Sequence, residues 1–155
     1  MFRWIVRRQY RKAWQAMNGH NYEAILDQLA PRFEITFIGD TSLGGTRTTL
    51  TSQRAWFQRL FRLVPDATFE MTSLAVDGPL WNTRVAGSFV VRATVAGQPY
   101  TNVFVQLVQL RWGKITGYTV YEDSLRFSRA CNAMAAAGLA EALAPALTDG
   151  LVMAG

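Results

Sequence analysis

The spacing of apolar residues predicts three helices and one strand in the first part of the chain. Over 3–17 the apolar positions recur every three or four residues, which predicts an amphipathic helix. A short second helix is predicted over 22–29, ended by Pro31, and apolar–polar alternation predicts a half-buried strand over 33–37. A hydroxyl side chain at the start of the segment 51–64 can cap a third helix.

After Pro65 the period of the apolar positions changes to two, which predicts a run of strands. Short glycine-containing turns separate these strands, so neighbours are expected to be antiparallel. The predicted strands span 68–76, 82–96, 100–112 and 114–123. The alanine-rich segment 124–147 predicts one or two further helices. Helices and strands that segregate along the chain in this way indicate an α+β fold.

Composition favours one folded domain that works without a cofactor. The chain has 155 residues, half of them hydrophobic and 17% charged, so it can bury a sizeable core. With a single cysteine, Cys131, and a single histidine, His20, it can form neither an internal disulfide nor a zinc site of Cys and His ligands. The acidic residues are few and scattered, so neither a metal nor a cofactor is expected.

The net charge of +5 comes largely from basic residues on the first predicted helix. Clustered lysines and arginines can bind phosphates, but no nucleic-acid motif accompanies them here. A solvated helix face is therefore favoured, and no nucleic-acid partner is expected. The sequence has no apolar run of about 18 residues, the length of a membrane span. Because the N-terminal residues also lack the apolar centre of a secretory signal, a cytoplasmic location is expected.

Three segments carry a resemblance to a known family: "GDTSLGGTRTTLTSQRAWFQRLF", "GQPYTNVFVQLVQLRWGKI" and "VYED". With the order of elements, they resemble the nuclear transport factor 2-like superfamily, closest to its SnoaL-like and ketosteroid-isomerase-like branch. The resemblance implies a cone-shaped curved antiparallel sheet wrapped around the N-terminal helices, a cystatin-like α+β barrel with a pocket at its wide end. It implies one such domain over 1–127 and a helical tail over 128–155, packed on that domain or on a partner subunit.

The resemblance implies a general base at Asp40. In the isomerase branch an aspartate follows the first strand, and counting back from Ala55-Trp56-Phe57 without a gap places that position at Asp40. The residues themselves leave two interpretations open. Asp40 follows the apolar pair Phe37-Ile38, and an apolar wall would raise the pKa of its carboxyl toward a useful value. An aspartate at the start of a loop also commonly bonds its own backbone in a turn.

The other catalytic positions of the family carry different residues in this chain. The position of the helical tyrosine falls near Ala13 or Trp14, and Tyr10, one turn earlier, is the hydroxyl donor that could replace it. The position of the second acid falls at Gln106, whose amide can also donate a hydrogen bond. A pocket-lining aromatic on the last strand is replaced by Glu122.

Alternation along the last two strands predicts which polar residues face inward. Asn102 and Gln106 share one face with Phe104, so their amides either bind a ligand carbonyl or satisfy each other and the backbone. Tyr118 and Glu122 share a face of the final strand.

Glu122 has two possible roles at this stage. It either enters the pocket and divides acid and base work with Asp40, or it pairs with Arg84 or Arg92 at the sheet edge. The tryptophans of the helices are either core residues or ligand-stacking residues. The candidate catalytic residues are thus Asp40, Gln106 and Glu122, and the candidate substrate-binding residues are Tyr10, Trp14, Trp56, Asn102, Phe104 and Tyr118.

Three functions are compatible with this sequence. The first is an isomerase, cyclase or hydratase acting on a small lipophilic carbonyl compound, which predicts a closed cavity of roughly 300 Å³ or more containing the base. The second is a non-catalytic ligand binder with Asp40 turned to solvent. The third is a dimerisation module, because Val103, Val105 and Leu107 make the opposite face of their strand apolar as well. Either a partner subunit, in a homodimer through the outer sheet face, or the helical tail would cover it.

Overall fold

The computed structural model describes residues 2–153, in which helices pack against one face of a single six-stranded sheet. The helices are α1 (Phe2–Asn18), α2 (Glu23–Leu26), α3 (Leu50–Leu63), α4 (Ser124–Ala136) and α5 (Asp149–Met153), with one 3₁₀ turn at Ala140–Leu143. The strands are β1 (Leu29–Phe37), β2 (Gly45–Arg47), β3 (Thr68–Asp77), β4 (Thr83–Val95), β5 (Gln98–Arg111) and β6 (Lys114–Glu122). The α+β class and the cone-shaped architecture expected from the sequence are confirmed.

The strand order is β2-β1-β6-β5-β4-β3, and one pairing in it is parallel. Strands β3 to β6 are joined by short turns and pair antiparallel, as predicted. Strand β1 instead runs parallel to β6, with Phe37 opposite Val120. The whole middle of the domain separates β1 from β6, so no short turn forces them to be antiparallel. The expectation of an antiparallel sheet is therefore corrected at this one pair.

The predicted boundaries are wrong around the first strand. Helix α2 ends at Leu26, and β1 already begins at Leu29 and runs through Pro31. Proline is tolerated there because the β1–β6 register shifts between Leu29 and Glu34, which leaves Pro31 outside the regular ladder. The predicted loop after β1 contains the short strand β2. The cap of α3 is Thr49, just before the predicted position, and its side chain accepts a hydrogen bond from the Ser52 backbone amide at 3.2 Å.

An aromatic cluster fixes α1 on the concave face of the sheet. Trp14 packs against Phe89 and Phe69, with ring centroids 4.2 and 5.3 Å away, and against Phe104 at 5.7 Å. Phe89 and Phe104 lie opposite each other on β4 and β5 and stack at 4.8 Å. Such pairs each add about 0.5–1.5 kcal/mol beyond the apolar area that they bury. The helix is therefore held to the strands that carry the candidate site.

The segment after β6 packs back onto its own domain. Phe127 and Cys131 of α4 are buried in the core. The Arg59 guanidinium donates to the Pro145 carbonyl at 2.7 Å, and Arg62 forms a two-pronged ion pair with Glu141 at 2.7 and 2.9 Å. The tail thus lies along α3. Within residues 2–153 no helix is both long and apolar enough to cross a membrane.

Asp149 fastens the end of the tail to the start of α3. Its carboxylate accepts hydrogen bonds from the Thr48 hydroxyl and the Ser52 hydroxyl, both at 2.6 Å, and from the Thr48 amide at 3.0 Å. Burial opposes ionisation, but these hydrogen bonds outweigh it and lower the pKa of Asp149 from its ordinary 3.8 to about 2.

We expect Asp149→Asn to lower the free energy of unfolding by about 1 kcal/mol at neutral pH, less than the pKa shift implies because Asp149 is half-buried. A lowered folded-state pKa gives stability above the unfolded value, which is lost as pH falls through about 2. The two proteins should therefore converge at low pH in urea titrations. Asp27→Asn, at an exposed position, is the control. An equal difference at neutral and low pH would contradict this account.

Candidate functional site

A cavity of about 70 Å³ lies between the concave face of the sheet and the helices. Its walls come from α1, α2, α3, α4 and five of the strands, and they are mostly aromatic and aliphatic. The polar side chains among them are Gln106, Glu122 and the phenols Tyr100 and Tyr118. The volume is well below the roughly 300 Å³ expected for an enzyme pocket. A drug-sized ligand therefore requires that wall side chains move.

The carboxyl of Glu122 is buried in the wall of the cavity. Glu122 ends β6 with its side chain on the inner face, where it lines the cavity, and its Oε1 is buried without a hydrogen-bond partner among the described residues. Burial, reinforced by the neighbouring charge of Asp123, raises the pKa of Glu122 from 4.5 to about 8. The alternative ion pair is not formed with Arg92, which binds Glu70 at 2.6 Å. Glu122 thus holds a proton near neutral pH.

Tyr10 fixes the orientation of Gln106. Its hydroxyl donates to Gln106 Oε1 at 2.6 Å, so Gln106 Nε2 is the end of the amide that is left to donate elsewhere. Burial raises the pKa of Tyr10 above its ordinary value, which keeps the phenol protonated as a donor. The close approach depends on Gly87 beneath it, because a Cβ there would lie 2.6 Å from the Tyr10 hydroxyl.

Asp40 lies outside the cavity. Its side chain is exposed, and it is not among the residues that form the cavity walls. Phe37 is the last inward-facing residue of β1, Ile38 is already 40% exposed, and Gly39 turns the chain with φ of 123°. The loop therefore directs Asp40 to solvent. The structure does not bring Asp40 together with Gln106 and Glu122.

Asn102 is buried and fully occupied by the protein itself. Its Nδ2 donates to the Tyr100 hydroxyl at 2.9 Å and to the Asp123 carbonyl at 3.1 Å, and its Oδ1 accepts from the Val103 amide at 2.8 Å. Of the two interpretations, the geometry fits the one in which the Asn102 amide forms its hydrogen bonds within the protein and not with a ligand. Asn102 holds the backbone next to Glu122, while Asp123 caps α4 by accepting from the Arg126 amide at 3.0 Å.

The remaining candidate residues form the walls. Trp14, Trp56, Phe104 and Tyr118 are buried and line the cavity. Trp56 is held by a hydrogen bond from its Nε1 to the Leu43 carbonyl at 2.7 Å. These side chains are both core and cavity wall, so the two interpretations of the tryptophans do not exclude each other.

A groove of about 440 Å³ adjoins the cavity between α1 and strands β4 to β6. Tyr10 lines the groove but not the cavity. Four residues line both spaces, and they mark the junction between them: Trp14, Ile25, Gln106 and Tyr118. The cavity and the groove therefore share a wall at these four residues.

Arg47 and Gln53 form a buried polar cluster behind Tyr118 that no sequence pattern indicates. Both side chains are fully buried, and Arg47 Nε donates to Gln53 Oε1 at 2.9 Å. An arginine in a polar loop sequence carries no signal of burial, because it is the tail segment folding over it that removes the solvent. Among residues 2–153 no group of three or more His, Cys, Asp or Glu side chains could hold a metal ion.

A curved sheet wrapped around helices, with a cavity on its concave face, defines a protein of the nuclear transport factor 2-like class. The model of the SnoaL-like domain matches residues 6–118, and the chain belongs to that family. The resemblance found in the sequence is thereby confirmed. No curated protein matches the chain.

Solved structures share the fold at low sequence identity. An NTF2-like protein of unknown function from Burkholderia pseudomallei is 20% identical, with a TM-score of 0.67 over 79% of this chain and 93% of its own. A candidate SnoaL-like polyketide cyclase from Jannaschia sp. CCS1 is 15% identical, with a TM-score of 0.67 over 83% and 90%. PrhC from Penicillium brasilianum is 16% identical, with a TM-score of 0.74 over 92% and 96%. At these identities the likeness shows the fold alone.

The pKa of Glu122 makes stability depend on pH. Because its folded-state value, about 8, lies above the ordinary 4.5, the stability that it contributes is present below about pH 4.5 and is lost as pH rises through 8. We expect the unfolding free energy to fall by on the order of 2–3 kcal/mol between those limits, and Glu122→Gln to remove this slope. Urea titrations at mildly acidic and mildly alkaline pH measure it, with Glu34→Gln at an exposed position as control. Equal slopes in wild type and Glu122→Gln would contradict the placement of this carboxyl.

Proposed function

We propose that this protein binds a small lipophilic carbonyl compound and transfers a proton at the carbon next to the carbonyl, with Glu122 as the acid and base. The observation that carries the proposal is the Glu122 carboxyl, buried in an apolar cavity with one oxygen unpartnered among the described residues. Isomerisation, cyclisation and hydration all include such a proton transfer. The proposal keeps the cytoplasmic location expected from the sequence.

The environment of Glu122 suits proton transfer near neutral pH. A carboxyl whose pKa is about 8 is a stronger base once ionised than one at 4.5, and because this pKa lies near the working pH the group can both take up and return a proton. The carboxylate takes the α-proton while the C–H electron pair moves into an enolate, and the new O–H returns a proton to carbon. Its carboxyl interacts electrostatically with Asp123, Tyr100 and Cys131.

Gln106 is placed to polarise the carbonyl. It pairs with Val120 across the β5–β6 ladder, and Glu122 is the next inward residue along β6. Such diagonal neighbours lie roughly 7–8 Å apart, so the two side chains can reach a carbonyl and its α-carbon once wall side chains move to admit the ligand. Gln106 Nε2 then donates to the carbonyl oxygen as negative charge develops on it.

The shape of the site favours a flat, apolar substrate. The cavity walls are mainly aromatic, and the groove beyond the junction residues provides about 440 Å³ for the rest of a larger molecule. The candidate SnoaL-like polyketide cyclase among the structural relatives supports a polyketide-like compound as the substrate class. A ligand arriving through the groove meets Tyr118 and Gln106 before it reaches Glu122.

A non-catalytic ligand binder is the second candidate, and the exposed position of Asp40 favours it. Asp40 is the base predicted from the sequence, but its side chain lies outside the cavity and cannot take a proton from a substrate within it. The two candidate functions therefore differ in whether Glu122 transfers a proton to and from the bound compound.

Proton exchange separates these candidates. We expect wild-type protein to accelerate hydrogen–deuterium exchange at the α-carbon of 2-tetralone in D₂O, followed by ¹H NMR, with a rate that rises with pH to a plateau above about 8. Glu122→Gln should lower this rate by about 100-fold or more, the usual scale of general base catalysis, because the base is removed.

Asp40→Asn is the matched control, since it removes an exposed carboxylate, and its rate should stay within about twofold of wild type. A Glu122→Gln protein as fast as wild type would disprove the role of Glu122. Binding of 2-tetralone by wild type without any acceleration of exchange would favour the non-catalytic binder.

We further propose that the outer sheet face forms a homodimer. Val103 is 57% exposed and Leu107 is 47% exposed on the outer side of β5, with the 47% exposed Tyr121 beside them on β6. A second copy of this surface would cover these apolar side chains.

Light scattering after gel filtration should give twice the 17.3 kDa chain mass for wild type. The monomer mass is expected for Leu107→Lys, which places a charge in the apolar patch, whereas Thr94→Lys on an exposed part of β4 should leave the dimer intact. A monomeric wild type at micromolar concentration would rule this interface out.

A further inference from the structure

A buried arginine lies behind the wall of the cavity. Arg47 has none of its surface exposed, and its guanidinium lies over the Trp56 ring at 5.3 Å. Its Nη1 donates to the carbonyls of Gly44 and Leu147, both at 3.1 Å, and its Nη2 has no partner among the described residues. Among residues 2–153, no carboxylate lies within ion-pair distance of the Arg47 guanidinium. Burial lowers the pKa of Arg47 to about 10, so it remains charged at neutral pH.

The charge of Arg47 determines which way Gln53 points. Arginine has only donors, so the Gln53 atom that meets Arg47 Nε at 2.9 Å must be the amide oxygen. The Gln53 amide nitrogen then faces the opposite way, toward Tyr118, and lies 3.3 Å from its hydroxyl oxygen. The direction of the second hydrogen bond therefore follows from the first.

Tyr118 consequently accepts from Gln53, and its own proton is free to be donated elsewhere. The hydroxyl donates no hydrogen bond to any of residues 2–153, and Tyr118 lines both the cavity and the groove. Burial raises the pKa of Tyr118 above its ordinary value, partly offset by the charge of Arg47, so the phenol stays protonated and able to donate.

We propose that Arg47 and Gln53 are positioning residues that make Tyr118 a hydrogen-bond donor to the oxygen of a lipophilic ketone or enolate at the junction of the cavity and the groove. The inference rests on the proposed function for the class of ligand, but it concerns a different contact. Tyr118 lies two inward positions from Glu122 on β6, and Gln106 is the diagonal neighbour of both. The Arg47 charge also stabilises negative charge that develops on the bound oxygen.

Gln53→Glu tests this orientation with almost no change in shape. The carboxylate keeps the contact with Arg47 as an ion pair, but it can only accept, so it takes the Tyr118 proton away from the ligand. We expect the variant to be at least as heat-stable as wild type, because it pairs a buried cation. Tyr118→Phe removes the hydroxyl directly and is the second variant.

The probe is 2-tetralone labelled with ¹³C at the carbonyl, whose resonance moves downfield when the oxygen accepts a hydrogen bond. Wild type and Asp40→Asn, whose substitution lies outside the cavity, should both bind it and shift the resonance downfield. Gln53→Glu and Tyr118→Phe should each lose the part of the downfield shift that Tyr118 contributes, while the part due to Gln106 remains. Both should bind about tenfold more weakly, the loss expected for one hydrogen bond. In the Tyr118→Phe background, Gln53→Glu should have no further effect on the shift, because the two residues act through one contact.

Two results would overturn the inference: an unchanged bound shift in Gln53→Glu and Tyr118→Phe, or wild type that binds 2-tetralone without a downfield shift. A loss that is additive in the double variant would show that Gln53 acts through packing alone, which also contradicts it. Failure of the proposed function is separate, since it appears in the exchange rate of Glu122→Gln and not in the carbonyl shift. A stable Gln53→Glu protein that loses the Tyr118 part of the carbonyl shift supports the inference, even if wild type does not accelerate hydrogen–deuterium exchange.

Discussion

Desolvation of polar groups on the inner face of β5 and β6 is the constraint on which the site depends. An amide, a phenol and a carboxyl, from Gln106, Tyr118 and Glu122, are turned into a space walled mainly by aromatic rings. In water each would be satisfied by solvent, whereas here each either finds a protein partner or changes its protonation. Gln106 and Tyr118 are held by hydrogen bonds, and Glu122 keeps a proton.

The alternation of side chains between the two faces of a strand explains which parts of the site could be predicted. Along β5 the side chains alternate strictly between buried and exposed from Asn102 to Arg111, so the sequence pattern alone places Gln106 and Phe104 on one face of the strand. Because Val103, Val105 and Leu107 make the other face apolar too, the family resemblance is what indicates which face is inward. Glu122 follows from the same rule on β6. Asp40 lies in a loop, where no periodicity fixes the direction of a side chain, and the turn at Gly39 decides it.

The features that could not be predicted all depend on contacts between distant parts of the chain. The parallel pairing of β1 with β6 joins Phe37 to Val120, and no local signal marks either residue as a partner. The buried guanidinium of Arg47 donates to two backbone carbonyls, and one of them belongs to Leu147, a hundred residues away. The orientation of Gln53, and through it that of Tyr118, follows from this burial. The tertiary fold therefore sets the chemistry of Tyr118, while the local sequence sets only its position.

The bond from Arg47 to the Leu147 carbonyl has an evolutionary consequence. The matched SnoaL-like region ends at residue 118, so the carbonyl that Arg47 needs comes from a segment beyond that match. A guanidinium without that cover would be hydrated and could no longer fix Gln53. We therefore expect homologues to have either both an arginine at position 47 and a C-terminal segment that reaches it, or neither.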